Sequence, residues 1–294
     1  MVLLFIVPGL LASNMIAARW VNGAIPPVAL AFWRWTGTLA LLLVLVGGQL
    51  WAQRAALARE WPVLLLLGSL GMGLCGAPVY LAARMTTATN IGLIYAASPV
   101  MVAVLAALWW GERLSLIQAV GVAFSFVGVV AIITRGDLAS LIRLDFNAGD
   151  ALTVVASASW AVYSVVLRRH RSDLGNDARF AAIAAGGVLA TAPFYGLELA
   201  FGDRMSIDWS TLGVIAFLAL VPGYLGYALH SRLIDRLGAS RASVMLYLIP
   251  LYNAGLATVL LGERLALFHL VGLILILGGV ALANRVPRKQ DQTG

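Results

Sequence analysis

Charge is scarce in this 294-residue chain. Lys, Arg, Asp and Glu make up 11% of it, against 61% hydrophobic residues and a mean hydropathy of +0.92; soluble domains run near a quarter charged. A water-soluble fold of this size has nowhere to hide so much apolar surface, because much of any folded surface faces its solvent. Lipid as solvent removes the conflict. Cysteine is nearly absent as well: Cys75 alone excludes an intramolecular disulfide framework and a multi-cysteine metal site. The histidines are His170, His230 and His269, each near the end of an apolar run, and no His-Glu-x-x-His occurs. An intramembrane metalloprotease or serine protease therefore lacks its recessed ligands or base. The expectation is not an enzyme, with no catalytic residue, metal or cofactor.

The acidic residues, Asp150 and Glu263 among them, all fall in turns or at the ends of apolar runs. Proton-coupled pumps keep a carboxylate at depth, since so costly a group persists in a membrane only for function. Its absence predicts uniport or weakly coupled movement, and it argues against cationic-drug export through a membrane carboxylate. A phosphorylated substrate would want buried Lys or Arg to pair with its phosphate, and only Arg34 lies well inside a span. The formal charge of +7 and pI near 10 raise the question of nucleic acid. However, the bases come one to three at a time between apolar runs, with no basic stripe and no aromatic platform.

What is present is length. Ten apolar runs, at about 2–19, 28–48, 62–82, 90–110, 115–134, 149–168, 179–199, 210–230, 240–261 and 266–284, match the roughly 20 residues that cross a bilayer core of about 30 Å as helix. A β-barrel would show short alternating strands instead. The first run lacks a basic n-region and reads as an uncleaved span. Trp20, Trp51, Trp61, Trp109, Trp110 and Trp209 lie near run ends, as an interfacial belt does; Trp160 does not. Arg19, Arg84, Arg135, Arg143, Arg204 and Arg264 fall on one side, Arg34 and Arg179 within or at the edge of spans, and the other twelve of the 20 bases on the N-terminal side. The positive-inside rule then puts both termini in the cytoplasm, for a multi-pass protein of a bacterial cytoplasmic membrane.

Residues 99–129 align without gaps on 250–280, with 13 of 31 positions identical at an offset of 151. The matches include Pro99/Pro250, the Gly-Glu-Arg-Leu turns at 111–114 and 262–265, Gly121/Gly272 and Gly128/Gly279. That offset spans five helices, an odd number, so equivalent helices cross in opposite directions. Inverted repeats characterise secondary transporters, with the substrate site near the midplane between the halves. The expected architecture is all-α: a first five-helix repeat over 1–134, a connecting loop over 135–148 and a second repeat over 149–294, around a central cavity. A channel would need a selectivity ring or a multi-subunit pore.

Polar aromatics at mid-span depth are the candidate cavity lining: Tyr80, Tyr95, Trp160, Tyr163, Tyr224, Tyr227 and Tyr247. Buried hydroxyl and indole groups want partners, which a watered cavity supplies, while the rings stack on an apolar side chain. Plain helix packing is the competing reading for each residue. Asn14, Asn90, Ser98 and Asn253 add amide and hydroxyl contacts, or else bond helix to helix. Pro8, Pro78, Pro99, Pro222 and Pro250 interrupt spans and tend to kink them, with Pro99 and Pro250 as paired hinges. Arg34, about 10 Å into its span at 1.5 Å per residue, is a structural anchor or else has a substrate or gate role, and His230 is an interfacial histidine facing water or else a gate or proton carrier. The Glu112/Arg113 and Glu263/Arg264 pairs are expected to fix their hairpins and cap helix ends.

Ten helices in two halves, a proline in each fourth helix, the Gly-Glu-Arg-Leu turns, Ser13-Asn14, Arg34 and Ser159-Trp160-Ala161 together resemble the EamA-type branch of the drug/metabolite transporter superfamily. The tyrosines resemble its YddG-type exporters of aromatic and other neutral amino acids. The resemblance implies a monomer in lipid that exports a small neutral metabolite, such as an amino acid, by alternating access.

Overall fold

The computed structural model describes residues 3–21, 23–111, 115–137, 147–237 and 248–283. Ten helical units follow in order: α1 Leu3–Trp20, α2 Pro27–Ala52, α3 Arg54–Ala82, α4 Ala88–Trp109, α5 Leu116–Ile133, α6 Ala148–Arg169, α7 Asn176–Ala200, α8 Trp209–His230, α9 Ile249–Leu261 and α10 Leu267–Ala283. Eight of them are long and apolar enough to cross a membrane, and α9 and α10 are shorter apolar helices. No strand occurs among the described residues. Outward-facing Val44, Leu116 and Val259 are 84%, 82% and 79% exposed, which only lipid makes tolerable. Trp20, Trp51, Trp109 and Trp209 are exposed at helix ends, as a headgroup belt requires.

The two halves repeat one packing scheme. The α5–α10 and α2–α7 pairs each join one helix of either half; α1 packs on α9 as α6 packs on α4, and α3 packs on α7 as α8 packs on α2. The helix ends repeat as well. Gly111 and Gly262 both end their helices in the left-handed region, at φ 65° and 68°, where an L side chain would be strained. Along the α5–α10 seam a Cβ on Gly121 would meet Gly279 O at 2.5 Å, and one on Gly128 would meet Gly272 O at 3.0 Å. Lipid provides no hydrophobic drive between helices, so close backbone approach at glycine supplies the packing.

Two expectations need correction. Residues 54–60, read as a separator, are the first turns of α3. Ala55, Ala56, Leu57 and Ala58 favour helix, and Glu60 at its polar end accepts from Ser172 Oγ and the Asp173 amide, so charge there does not end the helix. Pro8 does not interrupt α1, which runs through it.

Pro78, Pro99, Pro222 and Pro250 stand at or beside irregular stretches or segment starts of their helices. In α3 and α8 the helix widens to π geometry over Ser69–Leu74 and Ala219–Leu225, equivalent stretches of the two copies. Pro78 has no N–H for Leu74 O, and Pro222 none for Leu218 O, so each helix loses a regular bond there. Hydroxyls from neighbouring helices reach these stretches: Ser159 donates to Leu70 O at 2.9 Å and Thr38 to Ala219 O at 3.0 Å. α4 is broken between Tyr95 and Ser98, and Pro99 and Pro250 stand in the first turn of the segments that begin at Ser98 and Ile249. Pro99 cannot donate to Tyr95 O, and Ser98 Oγ takes that acceptor at 2.5 Å.

Gly121→Val is expected to push α5 from α10 and to destabilise the detergent-solubilised protein by about 1–3 kcal/mol. Gly47→Ala, where a Cβ meets nothing within 4 Å, is the silent control. Equal thermal midpoints for the two variants would contradict this seam.

Candidate functional site

A charged side chain lies inside the bundle. Arg34 on α2 is only 5% exposed. Its Nη1 donates to Tyr80 Oη of α3 at 2.9 Å, and Tyr80 donates to Asn14 Oδ1 of α1 at 2.7 Å. Its Cζ lies 4.4 Å from the Trp35 ring centroid. Among the described residues Arg34 forms no ion pair, and its Nε is buried without a hydrogen-bond partner.

Around this cation the helices present hydroxyls and rings. Tyr95 Oη lies 2.6 Å from Cys75 Sγ and 3.3 Å from Ala156 O. Ser98 Oγ reaches Ser157 Oγ of α6 at 2.9 Å. Trp160 and Tyr163, one face of α6, have ring centroids 4.9 Å apart. Tyr227 stacks on Phe180 at 5.0 Å and meets Trp35 edge-on at 6.1 Å. Trp35, Met72 and Tyr163 form one apolar cluster, on which Trp160, Tyr224 and Tyr227 pack. Gly71 makes room for it: a Cβ there would lie 2.6 Å from the Tyr163 ring. Tyr95, packed on one apolar cluster, and Trp160, Tyr224 and Tyr227, packed on another, are each only partly buried, as is Asn14, which accepts from Tyr80. The arrangement combines one cation, neutral hydroxyls and stacked rings.

Other expected residues stand apart. Asn253 is fully buried against Gly92 and donates to Ala88 O at 2.5 Å, which makes it a bond between α9 and α4. His230 is half-buried on α8, with no hydrogen bond or ion pair among the described residues. Tyr247, Glu112 and Arg113 lie outside the described residues. Glu263 does cap a helix end, but one in the other repeat: it accepts from the Ala88 and Thr89 amides at 2.8 and 3.0 Å and from Thr89 Oγ1 at 2.7 Å.

The same end of the bundle holds a polar chain that the sequence reading missed. Asp150, in the first turn of α6, is fully buried. It accepts from Thr86 Oγ1 at 2.6 Å and from Asn90 Nδ2 at 3.2 Å. His269 Nδ1 accepts from the Ala266 amide at 2.9 Å, so the ring proton sits on Nε2, 3.1 Å from Asn90 Oδ1. Gln118 makes the equivalent bond to the Ser115 amide in the first copy, at 2.9 Å. Asp150 and His269 both stand at span ends, as expected, yet neither faces water. Position along a helix does not give burial when the neighbouring turns fold over the end.

A cavity of about 540 Å³ opens between α4, α5 and α6, lined by Val100, Met101, Val104, Phe126, Val129 and Val162 among others. None of the expected site residues lines it. Its aliphatic walls offer nothing to a charged or zwitterionic solute, which leaves the polar and aromatic cluster around Arg34 as the candidate site.

A model of the EamA-like transporter family matches residues 1–134 and again 147–285. The chain belongs to that family. Among relatives of this EamA-like transporter, the uncharacterized transporter YyaM of Bacillus subtilis (strain 168) is 25% identical over 274 residues, covering 92% of this chain and 88% of its own. A probable amino-acid metabolite efflux pump of Escherichia coli (strain K12) is 24% identical, covering 83% and 93%. A probable terminal-alkyne amino-acid exporter of Streptantibioticus cattleyicolor is 26% identical, covering 84% and 80%. A solved crystal structure, 21% identical, shares the fold with a TM-score of 0.64 over 96% of this chain and 95% of that one. The EamA-like transporter is thus a multi-pass membrane transporter of two five-helix repeats.

Replacing Glu263 with Ala strips three acceptor contacts from the start of α4. The expected cost is about 1–2 kcal/mol, with faster amide hydrogen exchange at Ala88 and Thr89. Unchanged exchange there would show that the cap does not hold α4.

Proposed function

We propose that this transporter exports small neutral metabolites, amino acids including aromatic ones foremost, by alternating access. The observation that carries the reading is the set of interior polar and aromatic side chains to which both repeats contribute, Asn14, Arg34, Tyr80 and Tyr95 from the first and Trp160, Tyr163, Tyr224 and Tyr227 from the second. Rings suit an apolar side chain, and hydroxyls suit a zwitterion. The relatives named for amino-acid efflux support the same class. Rocking occurs at the helix breaks marked by Pro99 and Pro250, with residues 135–148 joining the two halves. The protein works as a monomer in a bacterial cytoplasmic membrane, with both termini in the cytoplasm.

Counterflow in proteoliposomes, across amino acids, polyamines and drugs, tests the substrate class. Neutral amino acids are expected to exchange without any gradient. Trp160→Ala and Tyr227→Ala are expected to lower the rate at least tenfold for aromatic amino acids and to change selectivity. Wild-type rates and selectivity in both variants would remove the aromatic chamber from the mechanism.

Uniport or weak coupling is the leading reading, and the structure gives a specific reason for a second. Uniport follows if every acid at a span end faces water, and Asp150 at such an end is instead fully enclosed, with no basic partner within ion-pair distance among the described residues. Such a carboxylate is able to carry a proton. Under uniport, a pH gradient leaves the counterflow rate unchanged and Asp150→Asn behaves as wild type. Under proton coupling, a gradient accelerates transport and Asp150→Asn abolishes the acceleration.

A further inference from the structure

We propose that Arg34 is the carboxylate anchor of the transport site, so that the transported molecule carries a carboxylate pairing with its guanidinium. The inference rests on the reading of this chamber as the substrate site, and it names the chemistry by which that site selects.

Three observations lead to it. First, the guanidinium is out of balance. It is only 5% exposed, makes no ion pair among the described residues, and keeps Nε buried and without a partner. A buried charge left unpaired costs several kcal/mol, and a carboxylate returns most of that through two parallel charge-assisted bonds along the guanidinium fork. Second, its one neighbour in hydrogen-bond reach is already committed. Tyr80 Oη accepts from Arg34 and spends its own proton on Asn14 Oδ1, so it orients the cation without neutralising it. Trp35 holds the other side of the guanidinium, with its ring centroid 4.4 Å from Cζ. Trp35 Nε1 is itself buried without a partner, a second donor left over beside the first.

The third observation separates ligand binding from anchoring. The two halves share a packing scheme, so a residue needed to hold α2 in the bundle should recur in α7, its counterpart. The matching turn of α7 carries Ile183, Ala184 and Ala185, and it packs against α3 through apolar side chains and the close approach of Gly68 to Gly186 and Gly187. The cation that α7 does carry, Arg179 in its first turn, is spent on the Leu167 and His170 carbonyls at the helix end, so the scaffold has no cation at the depth of Arg34 on that side. The cation on α2 therefore answers to something that is not a second copy of the scaffold.

Compounds of one shape and different charge decide it: phenylalanine, its amide and phenethylamine, which keep the ring while losing the carboxylate, and phenylacetate, which keeps the carboxylate while losing the amine. In wild-type counterflow, phenylalanine is expected to move at least tenfold faster than phenylalaninamide or phenethylamine. Arg34→Gln should lower phenylalanine movement at least tenfold and erase the preference, and Arg34→Lys, which keeps charge but not the fork, should recover part of it. A wild-type preference that survives in Arg34→Gln overturns the proposal, as does equal movement of acid and amide in the wild type. If Arg34→Gln does not fold, the acid-over-amide ratio in the wild type against Arg34→Lys decides in the same way. If no amino acid moves at all, the amino-acid reading falls on its own, and the thermal midpoint of the solubilised protein then tests the anchor. A rise with phenylacetate, absent with phenethylamine and diminished in Arg34→Lys, supports it. No rise with phenylacetate overturns it.

Discussion

In hydrocarbon a backbone carbonyl or amide finds no water, so each must be bonded within the protein or open onto a protein-lined space. That constraint shapes α3, α4 and α8, whose prolines each remove a bond. Ser98 takes the acceptor that Pro99 leaves at Tyr95 O, and Ser159 and Thr38 add bonds to Leu70 O and Ala219 O in the π stretches beside the other two prolines. Two of these bonds tie one helix to another from the opposite repeat. Local irregularity is thereby converted into contact between the halves, and it is concentrated on the helices that line the chamber. A straight helix would have brought Tyr95 and Tyr224 to the same depth but would have left no weak point about which either half could turn.

The backbone is nearly symmetric, and the side-chain chemistry is not. The α5–α10 seam, the paired left-handed glycines and the paired π stretches repeat between halves. By contrast, the cation and its hydroxyl chain come from α1, α2 and α3, whereas α6 and α8 bring Trp160, Tyr163, Tyr224 and Tyr227. Under the proposed alternating access, symmetry of the scaffold would let the bundle have two related conformations of similar energy. Asymmetry of the side chains would then give a bound molecule a defined orientation, with a polar end toward Arg34 and Tyr80 and an apolar end toward the rings of the second half.

Much of this was readable in the sequence because lipid simplifies the code. Long apolar runs are helices, and the Gly-Glu-Arg-Leu turns with their spaced glycines reveal the duplication without reference to packing. Which face of each helix turns inward was far less readable. Both α4 and α9 carry apolar residues all the way round, so nothing in the local pattern separates Tyr95, which faces the chamber, from Asn253, which is spent on Ala88 O. Cys75 looked like one more apolar residue, and only the fold brings its sulfur to 2.6 Å from Tyr95 Oη. Asp150 was placed correctly along its helix and misjudged in burial, because its partners Thr86 and Asn90 lie 64 and 60 residues away in sequence.

Two buried ionisable side chains now stand at different levels of the bundle, and their surroundings assign them different work. Asp150 is held by two neutral donors, Thr86 and Asn90, and through Asn90 it touches His269. Either protonation state can be accommodated there by reorienting a hydroxyl and an amide, which suits a group that changes charge. Arg34 forms no ion pair among the described residues, so an opposite charge arriving beside it would balance it. Under the proposed function, a cation in the interior cluster and an enclosed acid at one end would together link solute binding to the closing of that end. Both tie together neighbouring elements, α3 directly for Arg34 and the α3–α4 turn for Asp150. On that reading, a shift of α3 that followed substrate binding at Tyr80 would be felt at Thr86, six residues further along the chain, and through it at the acid.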